Sequence, residues 1–286
     1  MTTVNAPVSR MLSVNGLQLH HLDWGNAGAP ALVCVHGLRS NAHAFDGFGR
    51  RFSDRYQVIS LDVRGRGESA WSPDGRYQMS DYASDLGTIV DLLGLEQFSY
   101  IGTSMGGRIG MTYAASHGDR LARFILNDIG PDGEAGSDRI TREAGKTPDS
   151  FESFEAALDY QRQTIGAAAR MSEEALRERA QHTYRQREDG RWVDKCDPEF
   201  IRQRAVGGMT HDPALLWKAL AELQCPTLVL RGTVSDVLSE GQAQKIVQTV
   251  PHGTLALVPG AGHTPTLEEP ASVDALEAIL GNPLTK

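Results

Sequence analysis

A doubly wound, mostly parallel eight-stranded α/β sheet flanked by helices, with a helical cap (lid) insertion, is the architecture this sequence predicts. Three observations predict it. Short, near-continuously apolar runs alternate with helical patterns, as parallel strands covered on both faces require. That alternation stops between about Gly130 and Leu216, where helix-forming Ala, Glu, Arg and Gln dominate. Glycine-rich turns follow several of the apolar runs, at the strand ends where open α/β sheets bind ligands.

Met11 to Val14 and Leu17 to Trp24 read as an antiparallel hairpin over Asn15-Gly16, a strong turn dipeptide. Ala31 to Val35, Val58 to Leu61, Phe98 to Ile101, Phe124 to Leu126, Leu228 to Leu230 and Leu255 to Val258 read as the remaining strands. Tyr82, Leu86, Ile89, Val90 and Leu93 share one helical face, with Gly94 as the stop. Val273, Leu276, Ile279 and Leu280 repeat that pattern ahead of Gly281. Strand–helix alternation implies right-handed crossovers. Between strands, Phe154 to Arg170 and Glu173 to Glu188 have helical propensity, and no strand-like run is visible from Gly130 to Leu216. Residues 1–130 and 217–286 are therefore expected to form the core domain. Residues 131–216 form the insertion, which either roofs the strand ends or packs on the surface.

Composition narrows the function. At 286 residues the chain can bury a sizeable core. Its net charge of −8 argues against nucleic acid or an anionic membrane surface as main partner, since both need a basic face. No apolar run approaches a membrane span, and Met1 to Arg10 lacks the pattern of a secretory signal. Cys34, Cys196 and Cys225 are far apart, odd in number and without metal-site spacing to His. They read as buried thiols, consistent with a cytoplasmic location. The expected partner is a small molecule, with neither metal nor organic cofactor. The oligomeric state is left open.

The chemistry centres on Gly102-Thr103-Ser104-Met105-Gly106, between an apolar strand and a helix. A sharp strand-to-helix turn lifts Ser104 onto an exposed tip, glycines let neighbouring backbone pack close, and the helix aims unpaired N–H groups at the site. His36-Gly37-Leu38 follows the strand ending at Val35, so the backbone N–H groups of Leu38 and Met105 form a candidate oxyanion hole. His36 itself reads as a prop for its loop. Asp62-Val63-Arg64-Gly65-Arg66-Gly67-Glu68-Ser69 lacks phosphate-loop spacing and reads as a turn in which Asp62 and Arg64 tie loops together. Asp236, past the strand Thr227 to Leu230, and His263, in Gly260-Ala261-Gly262-His263 after the last strand, complete a candidate catalytic triad. The chain order Ser104, Asp236, His263 is that of the nucleophile-elbow hydrolases.

With these motifs in place the chain resembles the α/β-hydrolase superfamily over nearly its whole length apart from the insertion. The resemblance rests on His36-Gly37, Asp62-x-Arg64-Gly65-x-Gly67-x-Ser69, the elbow at Ser104, Ser235-Asp236 and Gly262-His263. It implies the fold and a Ser-His-Asp triad. Asp128 also ends a strand, and some relatives carry their acid there, so it is the rival to Asp236. The expected activity is cleavage of a small or medium carboxylic ester or lactone through an acyl-enzyme. Carbon–carbon bond hydrolases of vinylogous diketone acids and cofactor-free perhydrolases share the triad and are alternatives, as is a ligand receptor without sustained turnover. The run Ser104 to Gly107 occurs in the first two groups as well as in esterases. Arg39 and Arg108 are candidate grips for a substrate carboxylate. Tyr160, Trp192 and Trp217 are candidate pocket walls.

Overall fold

The structure is a computed structural model that describes residues 6–133, 136, 139, 142–143, 145–165, 168, 171–205 and 211–281. Eight strands form one sheet: β1 (Val8–Val14), β2 (Leu17–Asp23), β3 (Ala31–Val35), β4 (Gln57–Leu61), β5 (Phe98–Thr103), β6 (Leu121–Asn127), β9 (Thr227–Gly232) and β10 (Gly253–Val258). Their spatial order is β1-β2-β4-β3-β5-β6-β9-β10. β2 is antiparallel to both β1 and β4, and every other neighbouring pair is parallel. The β1–β2 turn uses Asn15 and Gly16, both at positive φ, as the tight hairpin demands.

The sheet is covered on both faces, and side-chain alternation assigns each face. In β3, Ala31, Val33 and Val35 join a core with α2 (Met79–Leu92), α3 (Met105–His117), α7 (Pro213–Glu222) and α8 (Glu240–Thr249). Leu32 and Cys34 point the other way, into a core with α1 (Asp46–Phe52) and α9 (Pro270–Leu280). Helix starts are fixed by polar caps: Gln78 and Asp81 form a capping box on α2, and Asp212 caps α7 with Pro213 in its first turn. Ser239, not Asp236, caps α8.

Between β6 and α7 lie α4 (Phe154–Thr164), α5 (Glu173–Thr183) and α6 (Pro198–Ala205). Phe151, Ala157, Leu158, Ala168, Leu176, Ala180 and Tyr184 pack there as a small separate core. The expected helix to Arg170 ends at Thr164, and Arg170 itself lies outside the described residues. The expected helix to Glu188 ends at Thr183, because a hairpin that periodicity did not reveal follows it: β7 (Tyr184–Gln186) pairs with β8 (Trp192–Asp194). Its strands are three residues each, too short to show a period, and the apolar pair Trp192-Val193 is too brief to read as a strand. The turn is marked only by Gly190 at φ +82. Cys34, Cys196 and Cys225 are buried free thiols, and among the described residues no helix is long and apolar enough to cross a membrane.

Strand order reverses about β3, whose successor β4 lies on one side and β5 on the other, so the loops after β3 and β5 open a crevice. Backbone contact fixes the floor of that crevice. A Cβ on Gly106 would stand 2.1 Å from the Val35 carbonyl oxygen, and one on Gly102 would stand 2.5 Å from the Gly106 carbonyl carbon. The loop after β3 is held from below by buried polar groups. The Asp62 carboxylate accepts the N–H groups of Ala42 (2.6 Å) and Glu68 (2.9 Å) and lies 2.8 Å from His20 Nδ1. His36, fully buried, accepts the Val63 N–H at Nε2 (3.2 Å). Its Nδ1 therefore carries the proton and donates to the Gly37 carbonyl (2.7 Å). Arg66, also fully buried, donates to the carbonyls of Leu38, Arg64 and Gly65, and its guanidinium lies 3.4 Å from the ring centroid of Phe200 on α6.

Two outcomes are expected from this framework. Gly106→Ala forces a methyl into backbone that cannot yield and is expected to cost about 3 kcal/mol or more in urea denaturation. Burial pushes the His36 pKa down to about 4, against the opposing pull of Asp62. The unfolded chain takes up this proton near pH 6.5, so the neutral ring's contribution is complete above that pH and is lost as pH falls toward 4. Wild type is expected to lose on the order of 2 kcal/mol through this group over that range, with a further loss from His21, which burial also lowers to about 4. His36→Asn is expected to show a shallower loss, and parallel pH profiles for the two proteins would contradict the assignment.

Candidate active site

Ser104 stands at φ 52, ψ −118, between the end of β5 and the first residue of α3. A non-glycine residue rarely adopts this backbone conformation. It is held here by the Ser104 N–H bond to the Asn127 carbonyl and by Gly107 donating to the Ser104 carbonyl. The turn presents the serine hydroxyl to His263, with Oγ and Nε2 2.8 Å apart. His263 lies on the loop after β10, which Asn127 ties back by donating from Nδ2 to the Pro265 carbonyl (3.0 Å).

The acid that faces His263 is Asp128. Its Oδ2 lies 2.8 Å from His263 Nδ1, and the carboxylate is fully buried. Two further donors satisfy it: the Gly232 N–H to Oδ1 (3.0 Å) and the Ser235 hydroxyl to Oδ2 (2.6 Å). A buried carboxylate requires such donors. The Asp128 N–H continues the β6–β9 ladder by bonding to the Leu230 carbonyl, which places the side chain at the sheet edge.

Asp236, expected as the partner of His263, is not in that position. It is exposed and accepts two hydrogen bonds from Arg139, at 2.8 and 3.0 Å. This Arg139 pairing holds its carboxyl below the usual range, with burial opposing. The physical reason lies in the turn after β9. Ser235 faces inward, bonding Asp128 and accepting the N–H groups of Val237 and Leu238, so the next side chain projects outward. Because β6 and β9 are neighbours, residues after either strand reach the same edge. A missed signal was that Asp128 follows its strand immediately whereas Asp236 lies several residues into a turn. Ser235 was noted only as part of a motif and is a direct partner of the acid.

Ser104 and His263 line a cavity of about 560 Å³. Its walls include Gly37 and Leu38 from the loop after β3, Leu267 beyond β10, and Tyr160, Thr164, Ile165, Met171 and Arg179 from the segment between β6 and α7. A Cβ on Gly37 would lie 3.3 Å from that of Ser104, so the loop after β3 runs directly beside the serine. Met105 opens α3, and among the described residues no acceptor takes the N–H of Leu38 or Met105.

The other expected contacts divide. Tyr160 lines the cavity, its hydroxyl bonded to Thr147 (3.1 Å). Arg39 lines it too, but its guanidinium is engaged by Asp194 (2.5 Å) and Thr147 (2.6 Å). Arg108 does not line it: it is buried and donates to the carbonyls of Gly130 and Asp132. Burial, and then the charge of Arg204, lower its pKa to about 10. Trp192 packs on Phe154, with ring centroids 5.1 Å apart, and Trp217 donates to Asp132 (2.8 Å). Neither belongs to the cavity wall.

Residues 30–270 match the pattern of the alpha/beta hydrolase fold. The chain is 34% identical over 261 residues to the 3-hydroxybutyrate-oligomer hydrolase of Cupriavidus necator, with 88% of each protein covered. It is 28% identical to the 2-(acetamidomethylene)succinate hydrolase of Mesorhizobium japonicum, covering 90% of this chain and 88% of that one. Among solved structures, an alpha/beta hydrolase from Novosphingobium aromaticivorans superposes with a TM-score of 0.84 at 32% identity, covering 96% of this chain and 98% of the other. On this fold, this site and these likenesses, the chain belongs to the alpha/beta hydrolase family and is a hydrolase.

Proposed function

We propose that the chain is a serine hydrolase that cleaves a carboxylic ester through an acyl-enzyme, with Ser104 as nucleophile, His263 as general base and Asp128 as the acid of the triad. The observation that carries this reading is the unbroken chain of hydrogen bonds Ser104 Oγ to His263 Nε2, and His263 Nδ1 to Asp128 Oδ2, each 2.8 Å. Asp128 accepts a hydrogen bond from the Nδ1–H and keeps its own charge, which holds the tautomer with Nε2 free to take the serine proton as the hydroxyl attacks the carbonyl carbon and stabilises the imidazolium that results. The same nitrogen then returns the proton to the departing alcohol. In deacylation it takes a proton from water, and the acid product leaves with Ser104 restored.

The N–H groups of Leu38 and Met105 hold the oxyanion of each tetrahedral intermediate in this proposal. Two features support them: Met105 follows Ser104 and Leu38 follows Gly37, whose backbone runs beside Ser104, and neither N–H has another acceptor among the described residues. Residues 131–216 act as a cap over the reacting carbonyl. In support, side chains of α4 and α5 form the cavity wall with Ser104. Small-molecule ester substrates fit a cavity of this size. The relative that acts on 3-hydroxybutyrate oligomers favours an ester of a short hydroxy acid over the carbon–carbon bond alternative.

A fluorophosphonate probe is expected to label Ser104 stoichiometrically and to fail on Ser104→Ala, with labelling read by peptide mass. Asp128→Asn leaves His263 with the wrong tautomer and is expected to lower kcat for a p-nitrophenyl ester by about 10⁴-fold. Asp236→Asn is expected to stay within about threefold of wild type, since an exposed ion pair contributes little. The reverse ranking of the two variants would return the acid role to Asp236.

A further inference from the structure

Among the described residues four arginines line the cavity: Arg39, Arg50, Arg139 and Arg179. Three are accounted for. Arg39 is engaged by Asp194 and Thr147, Arg139 by Asp236 and Glu143, and Arg50 stands exposed at the rim. Arg179, in the second half of α5, is different. Its Nε is buried with no hydrogen-bond partner, and among the described residues no carboxylate or carbonyl takes its guanidinium. The acid whose field it feels, Asp194, is already held by Arg39 at 2.5 Å. No other acid of the wall bonds it among the described residues: Asp46 turns Oδ2 to His43 and keeps Oδ1 buried without a partner, Glu143 is bonded to Arg139, and Glu178 and Glu268 are exposed. Burial lowers the Arg179 pKa, and the neighbouring Arg39 charge acts in the same direction.

Arg179 is half-buried, with its Nε shut away from solvent; a guanidinium so placed without a counter-charge is costly, and its planar fork of N–H donors matches a carboxylate. We propose that Arg179 is an anion subsite, and that the substrate is an ester bearing a free carboxylate that pairs with Arg179 while its carbonyl lies at Ser104. The assignment rests on the serine-hydrolase reading above. Ile165, Met171 and Leu267 in the same wall give the carbon stem between the two groups an apolar path. The carboxylate-gripping role expected of Arg39 or Arg108 thus passes to Arg179, the cavity arginine whose own structure leaves it unsatisfied.

The test compares mono(p-nitrophenyl) glutarate with its methyl ester, which differ in one charge. Wild type is expected to favour the charged ester in kcat/KM by about tenfold or more. Arg179→Gln is expected to lower the ratio of kcat/KM between charged and neutral ester by about 10- to 100-fold, mainly through KM, and Arg179→Lys to retain part of it. An unchanged ratio in Arg179→Gln, or no preference in wild type, overturns the subsite. Failure of the underlying reading looks different: neither ester turns over and the fluorophosphonate leaves Ser104 unlabelled. Folding of the variants is bypassed by a wild-type measurement. Glutarate is expected to inhibit hydrolysis of the neutral ester competitively, and glutaramide at equal concentration is not. Equal inhibition by the two also overturns the proposal.

Discussion

Backbone meeting backbone is the constraint on which the rest of the site depends. Ser104 occupies a conformation that costs energy, and it is held there because the Val35 carbonyl and the Gly106 backbone approach more closely than any side chain would permit. The contact sets the angle between β5 and α3. It also brings the loop after β3 against the serine, so Ser104 and the N–H groups of Leu38 and Met105 beside it are positioned by one packing event. With that angle fixed, His263 needs only a loop of the right length to reach Oγ.

A second layer of order is electrostatic. The strand ends bury Asp62, Asp128, His36 and Arg66; Asp62, His36 and Arg66 are satisfied mainly by backbone groups of the loops around them, and Asp128 by the Gly232 N–H together with the Ser235 and His263 side chains. Such groups are costly when unpaired, so each penalises any loop conformation that withdraws its partner. Rigidity at a site built from loops is obtained in this way. Arg66 extends the network outward by stacking on Phe200, which joins the floor of the cavity to the segment above it.

Much of this was legible in the sequence, for definite reasons. β3, β5 and β6 are apolar on both faces, and the Asn15-Gly16 hairpin and the Ser104 elbow each need a particular backbone that only a few residue types provide. The β7–β8 hairpin was not legible, because three-residue strands are too short to leave a periodic trace. Which carboxylate faces His263 is not legible, because it depends on which way one turn faces. Asp128 and Asp236 share a sheet edge, and what separates them is that Ser235 looks inward and Asp236 outward. Arg179 was invisible for another reason: a lone arginine in a helix looks like every other until its neighbours are seen to be already paired.

The placement of His263 beyond the last strand has a consequence for biosynthesis. β10 pairs with β9, and the loop that carries His263 follows it, so His263 is added to the growing chain after both Ser104 and Asp128. Chains emerge N-terminus first and fold in that direction. Ser104 and Asp128 are therefore synthesised well before any imidazole stands beside the hydroxyl. Under the proposed mechanism, a chain interrupted before β10 and its loop carries a serine that nothing activates, and reactivity arises only once β10 has docked beside β9.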